Sequence, residues 1–207
     1  AIDHVGRIDL NVSHGSDGSR RWRRNYIASL TAISFGTLRS AELFAQEALE
    51  NALSGQLKAS QAVDDTLRLL IKISSKMGDF SKALRYAGEA RERAFATEDP
   101  TMRAKILRYA LVNIAELQHA EGDFEAAILT YDEVLALQNA DAEVQLDQFT
   151  ANRGRAQTLM ALGRSSELEG QLAKTIKLSE QFRSRILDHE SRIAFIEGER
   201  ELSESMV

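Results

Sequence analysis

Glu116 and His119 stand three residues apart, so on a helix a carboxylate and an imidazole share one face, the arrangement that di-iron carboxylate bundles use to hold metal. Those bundles need the motif twice, with further glutamates, and no second Glu-x-x-His occurs in the chain. His119 therefore reads as a groove or surface residue, while His4 and His14 fall in a loosely patterned N-terminal stretch. There is no His-Glu-x-x-His, no Gly-x-Ser-x-Gly, no Walker loop and no dinucleotide glycine pattern. The absence of cysteine removes thiolate metal ligands, a cysteine nucleophile and a disulfide framework together. The expectation is a non-enzymatic chain with no cofactor and no metal.

The residues that are spaced for a purpose suit recognition. Arg68, Lys72 and Lys76 follow one another at four-residue steps, which on a helix makes one basic stripe. Further along, Tyr109, Val112, Asn113, Glu116 and His119 repeat at helical spacing, as do Thr150, Arg153, Gln157 and Met160. An asparagine can pair with both N–H and C=O of an extended peptide, and fixed cations hold carboxylates, so the expected partner is a protein or peptide of acidic or C-terminal character. A second basic run, Arg20-Arg21-Trp22-Arg23-Arg24, sets four guanidinium groups around an indole. Either an anionic partner such as nucleic acid meets it, or Trp22 packs against the next helix pair while the arginines are solvated. The net charge of −5 favours the second reading.

The elements that carry these residues follow from composition and repeats. One proline among 207 residues, with abundant Ala, Leu, Glu, Gln and Arg, points to long uninterrupted helices. Gly78, with Phe80 two residues later and Ala83 five later, realigns with Gly122, Phe124 and Ala127; Gly36 with Leu38 and Ala41 is a third copy, and Gly163 marks a fourth. The glycines step by 42, 44 and 41 residues. Apolar residues at intervals of three and four flank each one, Leu67, Leu70, Ile71 and Ile73 before Gly78 being the clearest, so each unit reads as two helices around a glycine corner. Asp79 and Asp123 are placed to cap the second helices, Asp99 before Pro100 to cap another, and Ser166 with Glu169 to form a capping box. Alanines 41, 83 and 127 let paired helices approach closely.

These units resemble tetratricopeptide repeats, whose turn holds a glycine, then an aromatic, then an alanine. Gly78, Phe80, Ala83 and Ala90 match that pattern, as do Gly122, Phe124, Ala127 and Tyr131, and in part Gly36, Leu38, Ala41 and Ala48. The departures are Leu67 with Ile71 and Leu111 with Ala115 in the first helices, Leu168 where alanine belongs, and a period longer than the usual ~34 residues. The resemblance implies an all-α fold, a right-handed α-solenoid of about four helical hairpins closed by a long C-terminal helix, with a concave binding face. On that face would lie Arg68, Lys72, Lys76, Tyr109, Asn113, Glu116, Arg153 and Gln157. The clamp by which some family members hold chaperone tails is incomplete. Asn113 matches and Arg68 replaces a lysine, but Lys72 stands for an asparagine and Thr150 and Gly154 for the last cations.

The ends complete the expected organisation: a flexible segment over 1–19, the repeat domain over 20–181, and a capping or linker helix over 182–207, within a helix running from Ser166 to Ser203 with an optional break near Gln181. Leu168, Leu172, Phe182, Ile186, Ile193 and Ile196 would form its apolar seam. The stretch from Phe182 to Leu202 resembles the helix that links tetratricopeptide arrays to caspase-like CHAT protease domains, which implies that the array regulates a downstream domain of the same polypeptide. The start at Ala1, without a signal-like pattern, reads as an excised fragment, and no apolar run reaches ~18 residues, so a cytoplasmic chain without membrane contact is expected.

Overall fold

The computed structural model describes residues 17–54, 61–137 and 142–183. Among them every regular element is a helix: α1 (Asp17–Ser34), α2 (Leu38–Leu53), α3 (Gln61–Lys76), α4 (Phe80–Ala96), α5 (Pro100–Glu121), α6 (Phe124–Ala136), α7 (Ala142–Ala161) and α8 (Ser165–Arg183). The protein is all-α, and within each compact unit successive helices pack in sequence order.

Gly36, Gly78, Gly122 and Gly163 are the four glycines with positive φ among the described residues, at 72°, 75°, 84° and 68°. At each of them the glycine amide donates to the carbonyl three residues back, and the next amide donates to the carbonyl five back, all at 2.9 or 3.0 Å. This is the Schellman arrangement, which satisfies two orphan carbonyls at a helix end and needs a left-handed residue at its corner. The repeat read from the glycine spacing is therefore a repeat of backbone geometry. Leu38, Phe80 and Phe124 open the next helices two residues later, each half-buried.

Counted from the corner glycine, one side of each second helix is buried at matching places. In α2 these are Ala41, Ala45, Ala48 and Ala52, and in α4 Ala83, Ala87, Ala90 and Ala94. The absence of side-chain bulk lets backbones approach: Ser29 Oγ of α1 donates to the Ala41 carbonyl at 2.7 Å. In α6 the series becomes Ala127, Tyr131 and Val134. In α8 it turns polar, with Thr175 and Ser179 where α2 and α4 have alanine, and Gln171 buried beside them. Gln171 Nε2 donates to the Asn152 carbonyl and Oδ1 at 3.1 and 2.8 Å, its Oε1 accepts from Arg155, and Arg155 pairs with Asp132 of α6 at 2.7 Å. A hydrogen-bonded staple thus joins α6, α7 and α8 where apolar packing was expected.

Two compact units divide the chain, Ala1–Asp79 and Phe80–Val207. In the first, α2 packs on α1 and on α3, and α1 touches α3. In the second, α4 to α8 pack consecutively and α5 also lies beside α7. The second unit's core joins Leu111, Val112 and Ala115 of α5 to Ala127, Tyr131 and Val134 of α6 and Ala151 of α7.

Several expectations change. α1 begins at Asp17, so residues 17–19 are helical rather than part of a flexible segment. The Asp99 cap forms, its Oδ1 accepting from Thr101 and Met102 at 2.8 and 3.2 Å, and Asp123 accepts from Ala126 at 3.4 Å. Ser166 is not a cap. The corner at Gly163 starts α8 at Ser165 and leaves Ser166 in its first turn. Nor is the Leu168/Leu172 seam the buried side of α8, since both leucines are half-buried and Gln171, Thr175 and Ser179 face inward. The remainder of the expected terminal helix, 184–207, and with it most of the CHAT-linker resemblance, lies outside the described residues, as does the segment before Asp17.

Candidate functional site

In the first unit α3 is buried around most of its circumference, and what stays open is one strip. Val63, Leu67, Leu69, Leu70, Ile71 and Ile73 are enclosed, whereas Asp65, Arg68, Lys72, Ser75 and Lys76 are half-buried or exposed. The strip expected from four-residue spacing therefore exists, and with half-buried Asp64 beside Asp65 its formal charge is +1, from three cations and two carboxylates.

Tyr26 of α1 belongs to the same face. Burial, with the Asp65 carboxylate as a second cause, pushes its pKa up to about 12, while Arg68 pulls the other way. Tyr26 stacks on Trp22 at 5.4 Å, and Trp22 Nε1 donates to Thr66 Oγ1 of α3 at 2.9 Å. The hydroxyl of Thr66 in turn donates to the Ala62 carbonyl at 2.6 Å, so both of its roles are filled. Trp22 is thus an α1–α3 strut, with Arg20 and Arg24 exposed beside it. The i, i+4 spacing of Trp22 and Tyr26 was the available sequence signal that both lie on one side of α1.

In the second unit Thr150, Arg153, Gln157 and Met160 are each half-buried along α7 while Ala151, Asn152, Gly154, Ala156, Thr158 and Leu159 are buried. On α5, Tyr109 and Asn113 are half-buried and Glu116 is exposed. Arg153 Nη2 lies 3.9 Å from Glu116 Oε1, so the two open strips adjoin. Val112 does not belong with them, because it is 6% exposed and part of the apolar core. The Asn113 amide is partly engaged within its own helix, Nδ2 donating to the Tyr109 carbonyl at 2.8 Å, which leaves Oδ1 and the second N–H for other partners. Here Glu116 stands against Arg153, with Tyr109, Asn113, Thr150 and Gln157 neutral and polar around them. This face suits backbone amides rather than a charged side chain.

Beneath that pair lies Tyr131, 1% exposed. Burial first, then the Glu116 carboxylate, raises its pKa, and Arg153 opposes them. His119, further along α5, is held between two neighbours: Nδ1 meets Thr158 Oγ1 at 2.9 Å and the ring tilts against Phe124 at 5.2 Å. Thr158 Oγ1 also donates to the Gly154 carbonyl at 2.7 Å, and with its proton there it accepts from His119 Nδ1–H. Burial lowers the pKa of His119.

No protein-family model matches the chain, and no curated protein matches it. The sites stand on their geometry alone.

Of the eight residues expected to line one face, Arg68, Lys72 and Lys76 fall in the first unit and Tyr109, Asn113, Glu116, Arg153 and Gln157 in the second. The reading that Trp22 packs against the next helix pair holds, through Thr66 of α3, whereas sequence reasoning missed Tyr26 as part of the first face and Tyr131 beneath the second. No helix among the described residues is long and apolar enough to cross a membrane.

Proposed function

We propose that this chain is a non-enzymatic, tetratricopeptide-like interaction module that docks a peptide or partner protein on the open strips of its first-in-hairpin helices. One observation carries the reading. α3 is enclosed except along a single polar strip, and a helix that is sealed everywhere else and open along one polar line is built to present that line. The α3 strip, with Arg68, Lys72 and Lys76, supplies charge for acidic side chains, and the α5–α7 face, with Asn113 and Gln157, supplies amides for a peptide backbone.

The test is an array of fluorescent peptides, acidic and neutral, titrated against the full chain and against an Arg68→Glu, Lys72→Glu double variant. Both residues are partly or fully exposed, so the variant should keep the parental melting temperature and lose acidic-peptide affinity by about tenfold or more, on the order of 1.4 kcal/mol. Unchanged affinity would dismiss the α3 strip as a docking surface.

A further inference from the structure

We propose that Arg108 is a receptor for a small oxyanion, a carboxylate or phosphate group bound at the buried side of α5. Arg108 is 2% exposed, and its Nε and Nη2 are sealed from solvent with no acceptor for either among the described residues. A guanidinium does not escape burial by shedding a proton, as a lysine can. An uncompensated buried charge opposes folding strongly. Its neighbours along α5 are apolar: one turn on are Leu111 and Val112, members of the core, with Leu107 packed against the same cluster. Methionine would suit that setting better, unless the guanidinium has a partner to meet.

The two orphaned nitrogens name the partner's shape. Nε and Nη2 form one edge of the guanidinium, and their hydrogens project in parallel to meet the two oxygens of a carboxylate or phosphate. The same edge is in use elsewhere in this unit, where Arg155 Nε and Nη2 reach Asp132 Oδ1 and Oδ2 at 2.7 and 3.5 Å. Arg108 presents the donor half of that pair without the acceptor half. Arg153 differs, for although its Nε is also sealed, its Nη2 already faces Glu116. Enclosure this complete suits a small ion rather than a folded surface.

The site is distinct from the peptide faces. Successive residues turn by about 100° around a helix, so Arg108 points away from the strip that carries Tyr109, and either reading can fail without the other.

The experiment is thermal unfolding of the full chain in Tris chloride, with sodium acetate, sodium phosphate or additional chloride added at millimolar concentration and matched ionic strength. The wild type should gain a few degrees, saturably, from acetate or phosphate and nothing from chloride; which oxyanion acts distinguishes carboxylate from phosphate. Arg108→Met should melt higher than the wild type in chloride, having lost an unpaired buried charge, and should not respond to either oxyanion. An equal response in Arg108→Met, or none in the wild type, would overturn the proposal. So would an Arg108→Met variant that melts lower in chloride or does not fold, because Arg108 would then be serving the fold itself.

Discussion

Tyr131 and Gly154 share one space. A β-carbon on Gly154 would lie 2.7 Å from Tyr131 Cε1 and closer still to Cζ and the hydroxyl. Counted from the corner glycines, Tyr131 occupies the place that Ala45 and Ala87 hold in α2 and α4, so a large ring has replaced an alanine and the facing helix has given up its side chain. In a helix interior alanine is normally better than glycine by about 1 kcal/mol. Here overpacking of about 1 to 3 kcal/mol opposes that gain, and Gly154→Ala should be net destabilising in urea unfolding. In a Tyr131→Leu background the ring is gone and the same substitution should become neutral or stabilising. Additive effects of the two changes would mean that the residues do not constrain each other.

The pH dependence of stability has an identifiable contributor in His119. Burial lowers its pKa from 6.5, so the folded chain binds that proton less readily than the unfolded one. The stability this contributes is whole above the unfolded value of about 6.5 and drains as pH falls through it toward the folded value. Urea unfolding at neutral and mildly acidic pH should show a steeper acid-side loss for the wild type than for His119→Gln. Equal slopes would place the titration elsewhere.

How far the sequence disclosed this depends on what each residue does. The corners were legible because a left-handed backbone admits few residues, and glycine at 36, 78, 122 and 163 leaves a trace no packing can blur. The open strips were legible because burial of Leu67, Leu70, Ile71 and Ile73 dictates by periodicity which side of α3 remains. The inward side of α8 was not, since Gln171 and Thr175 are buried by hydrogen-bond partners on α7 and on their own helix with Ser179 buried one turn on, and polarity in a helical pattern normally signals solvent. Arg108 was invisible for the same reason. Val112 was misassigned because Tyr109, Val112 and Asn113 follow a common spacing that only the position of α7 divides.

The corner glycines make a matched set. At φ near +70° to +84° any L-residue with a β-carbon is strained, with a cost of about 1 to 2 kcal/mol. Gly36→Ala, Gly78→Ala, Gly122→Ala and Gly163→Ala should each lose stability in that range, and the asparagine variants should lose less. No neighbouring atom lies within 4 Å of a β-carbon at any of the four, so conformation alone sets the penalty. A silent alanine at one corner would mean that corner does not hold its left-handed turn in solution.

Trp22 reports on the first unit directly, because it is the only tryptophan in the chain. Its indole N–H has Thr66 Oγ1 as acceptor, and that hydroxyl is itself fixed by the Ala62 carbonyl, so α1 and α3 are joined through one satisfied oxygen. Thr66→Val keeps the volume and removes the oxygen, leaving a partly buried donor without its partner, at a cost of about 1 to 3 kcal/mol. The Trp22–Tyr26 stack would still hold the ring but not its N–H edge, so the variant's native-state emission should change as the indole loses its hydrogen bond. Thr66→Ser, which restores the oxygen and drops only the methyl, should recover the wild-type spectrum and most of the stability. A valine variant matching the wild type in both emission and urea midpoint would show that the strut carries no load and that α1 is held to this unit by its contacts with α2 alone.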